Sequence, residues 1–223
     1  MKFALLFLPL CVIAHDIWIE KQDRISVLRY GHLHPSQEHK GNKIIPYAPK
    51  KIKEIICRHG TESETLNIPR VYPVRIRKHC DALYITLDNG YFTKTPYGTK
   101  NLPKNRLKMS LKSWRSIESV KRVDSSSDTL LSSGLELVLL KRPSKAGEKA
   151  TLQIFYNKKP LSGILVAYDG SVRGLSNKEG KINIRIRHSG LQNIQATYKQ
   201  KAANRELADE TVRTATLNFE IAE

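Results

Sequence analysis

The segment K-I-N-I-R-I-R, residues 181–187, alternates isoleucine strictly with charged or polar side chains. Successive side chains of a β-strand point to opposite faces of a sheet, so this alternation predicts a strand with one buried face. Turn sequences flank the segment, with K-E-G at 178–180 before it and H-S-G at 188–190 after it. The segment is therefore typical of a β-protein with short connections.

The same pattern extends over the C-terminal part of the chain. Further strands, separated by turn signals, are predicted at residues 151–156, 164–168, 191–198 and 214–221. Short strands at this spacing predict a sandwich of seven or eight strands. We assign this domain to residues 135–223 and assign residues 124–134, which begin with D-S-S-S-D, to a linker.

The N-terminal part, residues 15–123, also predicts mainly strands. A strand pair is expected at 17–30, another strand at 75–87, and D-N-G at 88–90 is typical of a hairpin turn. Residues 105–122 differ because their apolar side chains are spaced by three and four, at Leu107, Leu111, Trp114, Ile117 and Val120. This spacing predicts one short helix packed on the sheet between two β-sandwich-like domains, with a basic membrane-surface helix as the alternative. The fold class is all-β.

The first fourteen residues, M-K-F-A-L-L-F-L-P-L-C-V-I-A, have the features of a secretory signal peptide. Lys2 precedes an apolar core, and Val12 and Ala14 stand at the third-last and last positions before a candidate cleavage site. The apolar run is too short to span a bilayer. We therefore expect export and cleavage after Ala14.

The charge and the cysteines narrow the function classes. The formal net charge is +17, spread along the chain without a basic block, so nucleic acid is not an expected partner. Outside the signal segment the cysteines are Cys57 and Cys80, and an even number in an exported protein favours a disulfide. His59 and His79 stand close to them in sequence, which leaves a zinc site as the alternative.

Three histidines lie in or beside the first predicted strand pair. Cleavage after Ala14 would make His15 the first residue, so that its α-amine and its imidazole could bind one ion together. His32 and His34 are two residues apart and would point to one face of a strand. Amines with a pKa near 8 and imidazoles with a pKa near 6.5 release their lone pairs at little cost at neutral pH.

This set of nitrogen ligands predicts a metal site formed by His15, His32 and His34. Such ligands suit a divalent late transition metal, above all square-planar or tetragonal Ni²⁺ or Cu²⁺, with Co²⁺ and Zn²⁺ as alternatives. Asp16 and Glu20 are candidates for carboxylates that orient an imidazole, but solvated strand residues are the slightly favoured interpretation for both.

Several motifs along the mature chain resemble one known family. They are A-H-D-I-W-I-E at 14–20, Y-G-H at 30–32, G-Y-F-T-K-T-P at 90–96, G-L-E-L-V-L-L-K-R-P at 134–143, K-P-L-S-G at 159–163 and T-A-T-L-N-F-E-I at 214–221. The chain is similar to the periplasmic accessory components of bacterial nickel and cobalt uptake systems. By position, His15 and His32 match histidines of that family, whereas His34 has no fixed counterpart.

The resemblance implies an exported all-β protein that has an immunoglobulin- or transthyretin-like C-terminal domain and works with a membrane metal importer. The expected function is therefore non-enzymatic binding of Ni²⁺ or Co²⁺ in the periplasm. Two alternatives stay open. One is a copper protein with an N-terminal histidine, either an oxidative polysaccharide enzyme or a copper chaperone. The other is a structural β-sandwich protein of the envelope.

Overall fold

The structure is a computed structural model of the chain, and it describes residues 15–33, 43–124 and 129–222. The predicted signal segment, His34 and most of the D-S-S-S-D sequence lie outside the described residues. Within the described ranges the chain forms seventeen β-strands and two 3-10 turns, at Pro49–Lys51 and Lys104–Arg106. The predicted all-β fold class is confirmed. No helix in these ranges has the length and apolar character needed to cross a membrane.

The strands follow in chain order. They are β1 (Asp16–Gln22), β2 (Ile25–His32), β3 (Lys43–Ile44), β4 (Ile52–His59), β5 (Glu62–Thr65), β6 (Arg75–Ile76), β7 (Ala82–Thr95), β8 (Gly98–Lys100), β9 (Lys112–Val123), β10 (Glu136–Lys141), β11 (Lys149–Tyr156), β12 (Lys159–Pro160), β13 (Leu165–Tyr168), β14 (Ser171–Leu175), β15 (Lys181–Arg185), β16 (Gly190–Lys201) and β17 (Glu210–Ile221).

One large sheet runs through the molecule in the order β14-β13-β16-β17-β9-β7-β4-β5, and β8 pairs with β7. The first small sheet has the order β1-β2-β3, with β6 also on β2. The second has the order β10-β11-β12, with β15 also on β11. The described strand pairs are antiparallel except β17 and β9, which are parallel.

Each small sheet covers one face of the large sheet and closes a separate core. Leu83 and Ile85 of β7 pack with Ile17, Ile19 and Leu28 of the first small sheet. Ala82 belongs to the other core, formed with the second small sheet. Because successive strand residues point to opposite faces, the two small sheets lie on opposite faces of the large sheet. The C-terminal half is thus a β-sandwich, as predicted.

The large sheet continues across the predicted domain boundary. The β17–β9 pairing extends from Glu210 opposite Trp114 to Asn218 opposite Arg122. Both predicted domains, residues 15–123 and 135–223, share this sheet, and Ala82 and Val123 of the first pack in the core formed with the second small sheet. The division into two domains stays a prediction. A fragment that lacks β9 would leave one edge of β17 without its partner. Independent folding of the two parts stays a prediction.

The helix predicted over residues 105–122 is wrong. Residues 112–123 form β9, which is paired on one side with β7 and on the other with β17. Of the five residues in the predicted stripe only Val120 is fully buried, and Leu111 is 64% exposed. Hydrogen bonding to a strand on each side, β7 and β17, outweighs the helical preference indicated by the local spacing, because tertiary context overrides propensity.

The hairpin turn predicted at Asp88-Asn89-Gly90 is also wrong. These residues lie inside β7, at a register shift in its pairing with β9. Gly90 has a φ of +80°, and its N–H donates to Asp88 Oδ1 at 3.0 Å. A local turn motif therefore serves as a β-bulge here, a feature that bends a strand without ending it.

Candidate metal centre

The predicted strand pair at the N-terminus is confirmed, and it places two of the three candidate histidines together. β1 and β2 pair from Asp16 opposite Gly31 to Gln22 opposite Ile25. This register brings the residue before β1, His15, beside the last residue of β2, His32. Their ring centroids are 4.9 Å apart, with an angle of 54° between the ring planes. His34 lies outside the described residues.

The two imidazoles differ in their access to solvent. His32 is 8% exposed, whereas His15 is exposed at the end of the hairpin. An ion bound between them would have one buried ligand fixed by packing and one ligand open to solvent. This is an arrangement that allows entry and release of an ion.

Tyr30 of β2 lies next to His15. Its hydroxyl oxygen is 3.3 Å from His15 Nδ1, and the two ring centroids are 5.3 Å apart. Burial, followed by the nearby Glu118 carboxylate, holds the pKa of Tyr30 well above its ordinary value of 10. Burial also raises the pKa of Glu118. Without a metal ion, Tyr30 therefore stays protonated at neutral pH and can donate to an imidazole nitrogen.

The two candidate carboxylates hold the hairpin in place. Asp16 Oδ2 accepts from the Leu33 N–H at 3.0 Å, and Asp16 Oδ1 accepts from the side-chain amides of Gln195 at 3.2 Å and Asn193 at 3.4 Å. Glu20 pairs with Arg29 at 2.7 Å. Asp16 lies between His15 and Ile17, and it contacts Leu33, the residue after His32. Its other oxygen contacts β16, so Asp16 connects this end of the hairpin to the large sheet.

β1 pairs with β2 along one edge, and no described strand pairs with its other edge. Side chains form hydrogen bonds with the backbone there instead. The Ile19 N–H donates to Asn218 Oδ1 at 3.0 Å, and the Ile19 carbonyl accepts from Arg122 at 3.0 Å. These bonds satisfy backbone groups that an edge strand otherwise leaves open. The hairpin that carries His15 and His32 is thus fixed on the central sheet.

The cysteine alternatives are resolved by the structure. Cys57 and Cys80 form a disulfide, which confirms the favoured prediction. Because cysteine binds zinc as a thiolate, a zinc site that uses these two sulfurs is excluded while the bond is intact. His188 is a turn residue as predicted; its Nε2 lies 3.0 Å from Asp169 Oδ2.

The donors around His15 and His32 fit a late transition metal. The described groups that converge there are two imidazoles and a protonated phenol, while the Asp16 oxygens accept from amide N–H groups. Nitrogen ligands suit Ni²⁺, Co²⁺, Cu²⁺ or Zn²⁺ better than the hard ions Ca²⁺ and Mg²⁺, which prefer oxygen.

Comparisons with known proteins add little. No family model matches the chain, and no curated protein sequence is similar to it at a significant level. Among solved structures, the chain is similar to one described as "Structural basis for Dscam isoform specificity", at 12% identity and a TM-score of 0.22. That alignment covers 93% of this chain and 47% of the other. A similarity this low carries no argument about fold or function.

Proposed function

We propose that this protein is exported to the periplasm and binds Ni²⁺ or Co²⁺ there, without catalysis, to assist a membrane metal importer. The observation that carries the proposal is the approach of the His15 and His32 rings to 4.9 Å. The candidate cleavage site directly before His15 supports it, because cleavage would add an α-amine to the same site. The resemblance to nickel and cobalt uptake components suggests the metal and the partner.

The charge of the protein bears on how such a site would work. The formal net charge of +17 repels divalent cations at long range, so coordination at short range must supply the affinity. Nitrogen ligands bind Cu²⁺ more tightly than Ni²⁺ in the general affinity series. Nickel selectivity would therefore come from metal supply and from the importer.

The His32→Ala variant tests the metal centre. We expect it to lower Ni²⁺ affinity by about tenfold, because one of the two neighbouring imidazoles is lost while the terminal chelate remains. The measurement is calorimetric titration of the protein that begins at His15. The His188→Ala variant is the control, since that residue lies in a turn and contacts Asp169. Unchanged affinity in His32→Ala would remove this residue from the site.

The Tyr30→Phe variant tests which nitrogen of His15 binds the ion. An α-amine and the ring of the same histidine close a chelate through Nδ1, the atom that lies 3.3 Å from the Tyr30 hydroxyl. Loss of this competing hydrogen bond, about 0.5–1.5 kcal/mol, is expected to raise Ni²⁺ affinity by about 2- to 10-fold. A lower affinity would instead indicate coordination through Nε2, with Tyr30 orienting the ring.

The copper-enzyme alternative needs its own assay. An oxidase of polysaccharides would oxidise the polymer with turnover in the presence of Cu²⁺, oxygen and a reductant, whereas a binding protein would not. A copper enzyme and a non-enzymatic binding protein would both bind metal in the titrations above, so only catalytic turnover separates them. Sustained oxidation of a polysaccharide by the cleaved protein would overturn the non-enzymatic proposal.

A further inference from the structure

The disulfide places two other histidines side by side, far along the chain from His15. His59 follows Cys57 by two residues at the end of β4, and His79 directly precedes Cys80. The ring centroids of His59 and His79 are 5.3 Å apart, and the ring planes are 72° apart. Covalent connection of the two segments keeps these imidazoles adjacent.

Asp81 completes the group. Its Oδ2 lies 3.5 Å from His59 Nδ1, and its Oδ1 lies 3.5 Å from His79 Nε2. One ligand atom from each of the three residues lies within 4.8 Å of the others. Ligands bound to one ion at about 2.0–2.2 Å are themselves about 3–3.5 Å apart, so a small movement of these side chains would bring one atom of each to bonding distance of a shared ion.

The carboxylate is fixed and the imidazoles can adjust. The Gly60 N–H donates to Asp81 Oδ2 at 2.7 Å, and this bond is the main cause of a lowered pKa for Asp81. The Asp81 N–H donates to the Arg58 carbonyl at 2.8 Å. Both histidine side chains are 67% exposed, so their rings can rotate toward an ion without disturbing the core.

We propose that His59, His79 and Asp81 form a second metal site, distinct from the centre at His15 and His32. Two imidazoles and one carboxylate on one side of an ion are a ligand set known for divalent late transition metals, with water in the remaining positions. Zn²⁺ and Ni²⁺ are examples of ions that suit this ligand set. The site depends on the disulfide and not on the state of the N-terminus.

The charges around this site favour weak, exchangeable binding. Lys78 and Arg58 are close in sequence to the ligands and repel a cation. Lys78 is paired with Glu64, and the Arg58 side chain donates to the Gly60 carbonyl at 2.9 Å. The positive charges of Lys78 and Arg58 therefore lower the affinity for a cation, but their own contacts are with Glu64 and Gly60.

Stoichiometry tests the proposal on the whole mature protein with its disulfide intact. Titration with ZnCl₂ is expected to give two equivalents, and the His59→Ala/His79→Ala double variant is expected to give one. The His32→Ala/His188→Ala double variant is the matched control, which should keep the disulfide-linked site. An equal number of equivalents in the wild type and the His59→Ala/His79→Ala variant would overturn the second site. Loss of the only bound equivalent in that variant would support it while contradicting the centre at His15.

The Asp81→Asn variant separates coordination from packing. The amide oxygen can still accept from the Gly60 N–H, so the loop should keep its conformation, but the negative charge is lost. We expect about tenfold weaker Zn²⁺ binding at this site and no change at the other. Unaltered affinity would show that the carboxylate is not a ligand and would overturn the three-residue site.

Discussion

Replacement of Lys121 by alanine is expected to lower the free energy of unfolding by about 3–5 kcal/mol, because it leaves the buried carboxylate of Glu136 without its counter-charge. The two side chains are 1% and 0% exposed, and their charged groups are 2.6 Å apart. Lys121 also donates to the Thr129 carbonyl at 2.6 Å. The pair joins β9 to β10, across the segment that the sequence assigns to a linker.

Glu136 is held by more than the lysine. Its carboxylate accepts from the backbone N–H groups of Leu131 and Ser132, at 3.1 Å and 2.8 Å. The Glu136→Gln exchange should keep these acceptors, so the double variant Lys121→Met/Glu136→Gln is expected to be more stable than Lys121→Met alone. Chemical denaturation with two-state analysis measures both differences. Lys199→Ala, at an exposed position, is the control and should change stability by less than about 0.5 kcal/mol.

A loss below about 1 kcal/mol in Lys121→Ala would contradict the buried pair. It would mean that Glu136 finds another partner or becomes protonated at small cost. A loss of about 3–5 kcal/mol would show that the buried pair between β9 and β10 stabilises the folded protein. Independent folding of the C-terminal part would need a separate test, with fragments that include and lack β9.

The same buried charges explain why sequence reasoning missed β9. The helical interpretation depended on the spacing of the apolar residues and gave Lys121 and Arg122 no buried role. In the structure Lys121 pairs with Glu136, and Arg122, 4% exposed, pairs with Glu220 at 2.8 Å. A strand that is buried on both faces and contains charged residues does not show the alternation of apolar and polar residues by which a strand is predicted. In the parallel pairing with β17, Trp114 lies opposite Glu210, 96 residues further along the chain, so no local signal could predict it.

Other elements could be predicted because their signal is local. The strict alternation at 181–187 corresponds to β15, where Ile184 is 1% exposed and Lys181 and Arg185 face solvent. The pairing of His15 with His32 follows from two strands joined by a short turn. By contrast, Asn193 and Gln195, which contact Asp16, are 177 and 179 residues away from it. Only the tertiary structure could identify them as part of the same region.

The second histidine group was partly visible in the sequence. The residues around Cys57 and Cys80 predict, as the alternative to a disulfide, a zinc site of two thiols and two imidazoles, and this site does not include Asp81. Its position directly after K-H-C was the available signal, because a disulfide between the cysteines must also bring their neighbours together. In the structure the two sulfurs form a disulfide, so the candidate ligands are the two histidines and the Asp81 carboxylate.

Extension of the mature N-terminus by a single glycine is expected to lower Ni²⁺ and Cu²⁺ affinity by about 10- to 100-fold or more, by analogy with lost support in other metal sites. The extra residue converts the α-amine of His15 into an amide, which is a far poorer ligand near neutral pH. The imidazole stays beside His32 at a centroid distance of 4.9 Å. A site built only from side chains would therefore hardly respond, and the change tests the amine alone.

Calorimetry of the cleaved protein, the glycine-extended protein, the His15→Ala protein and the combination of both changes measures this effect. The amine and the ring of His15 act as one chelate, so either change alone should remove most of the benefit. The combination should then be much less damaging than the sum of the two, since residues that act as a unit are not additive. Thermal unfolding of each variant without metal checks that the hairpin is intact. Equal affinities of the cleaved and extended proteins would eliminate the terminal chelate and leave an ordinary imidazole site around His15 and His32.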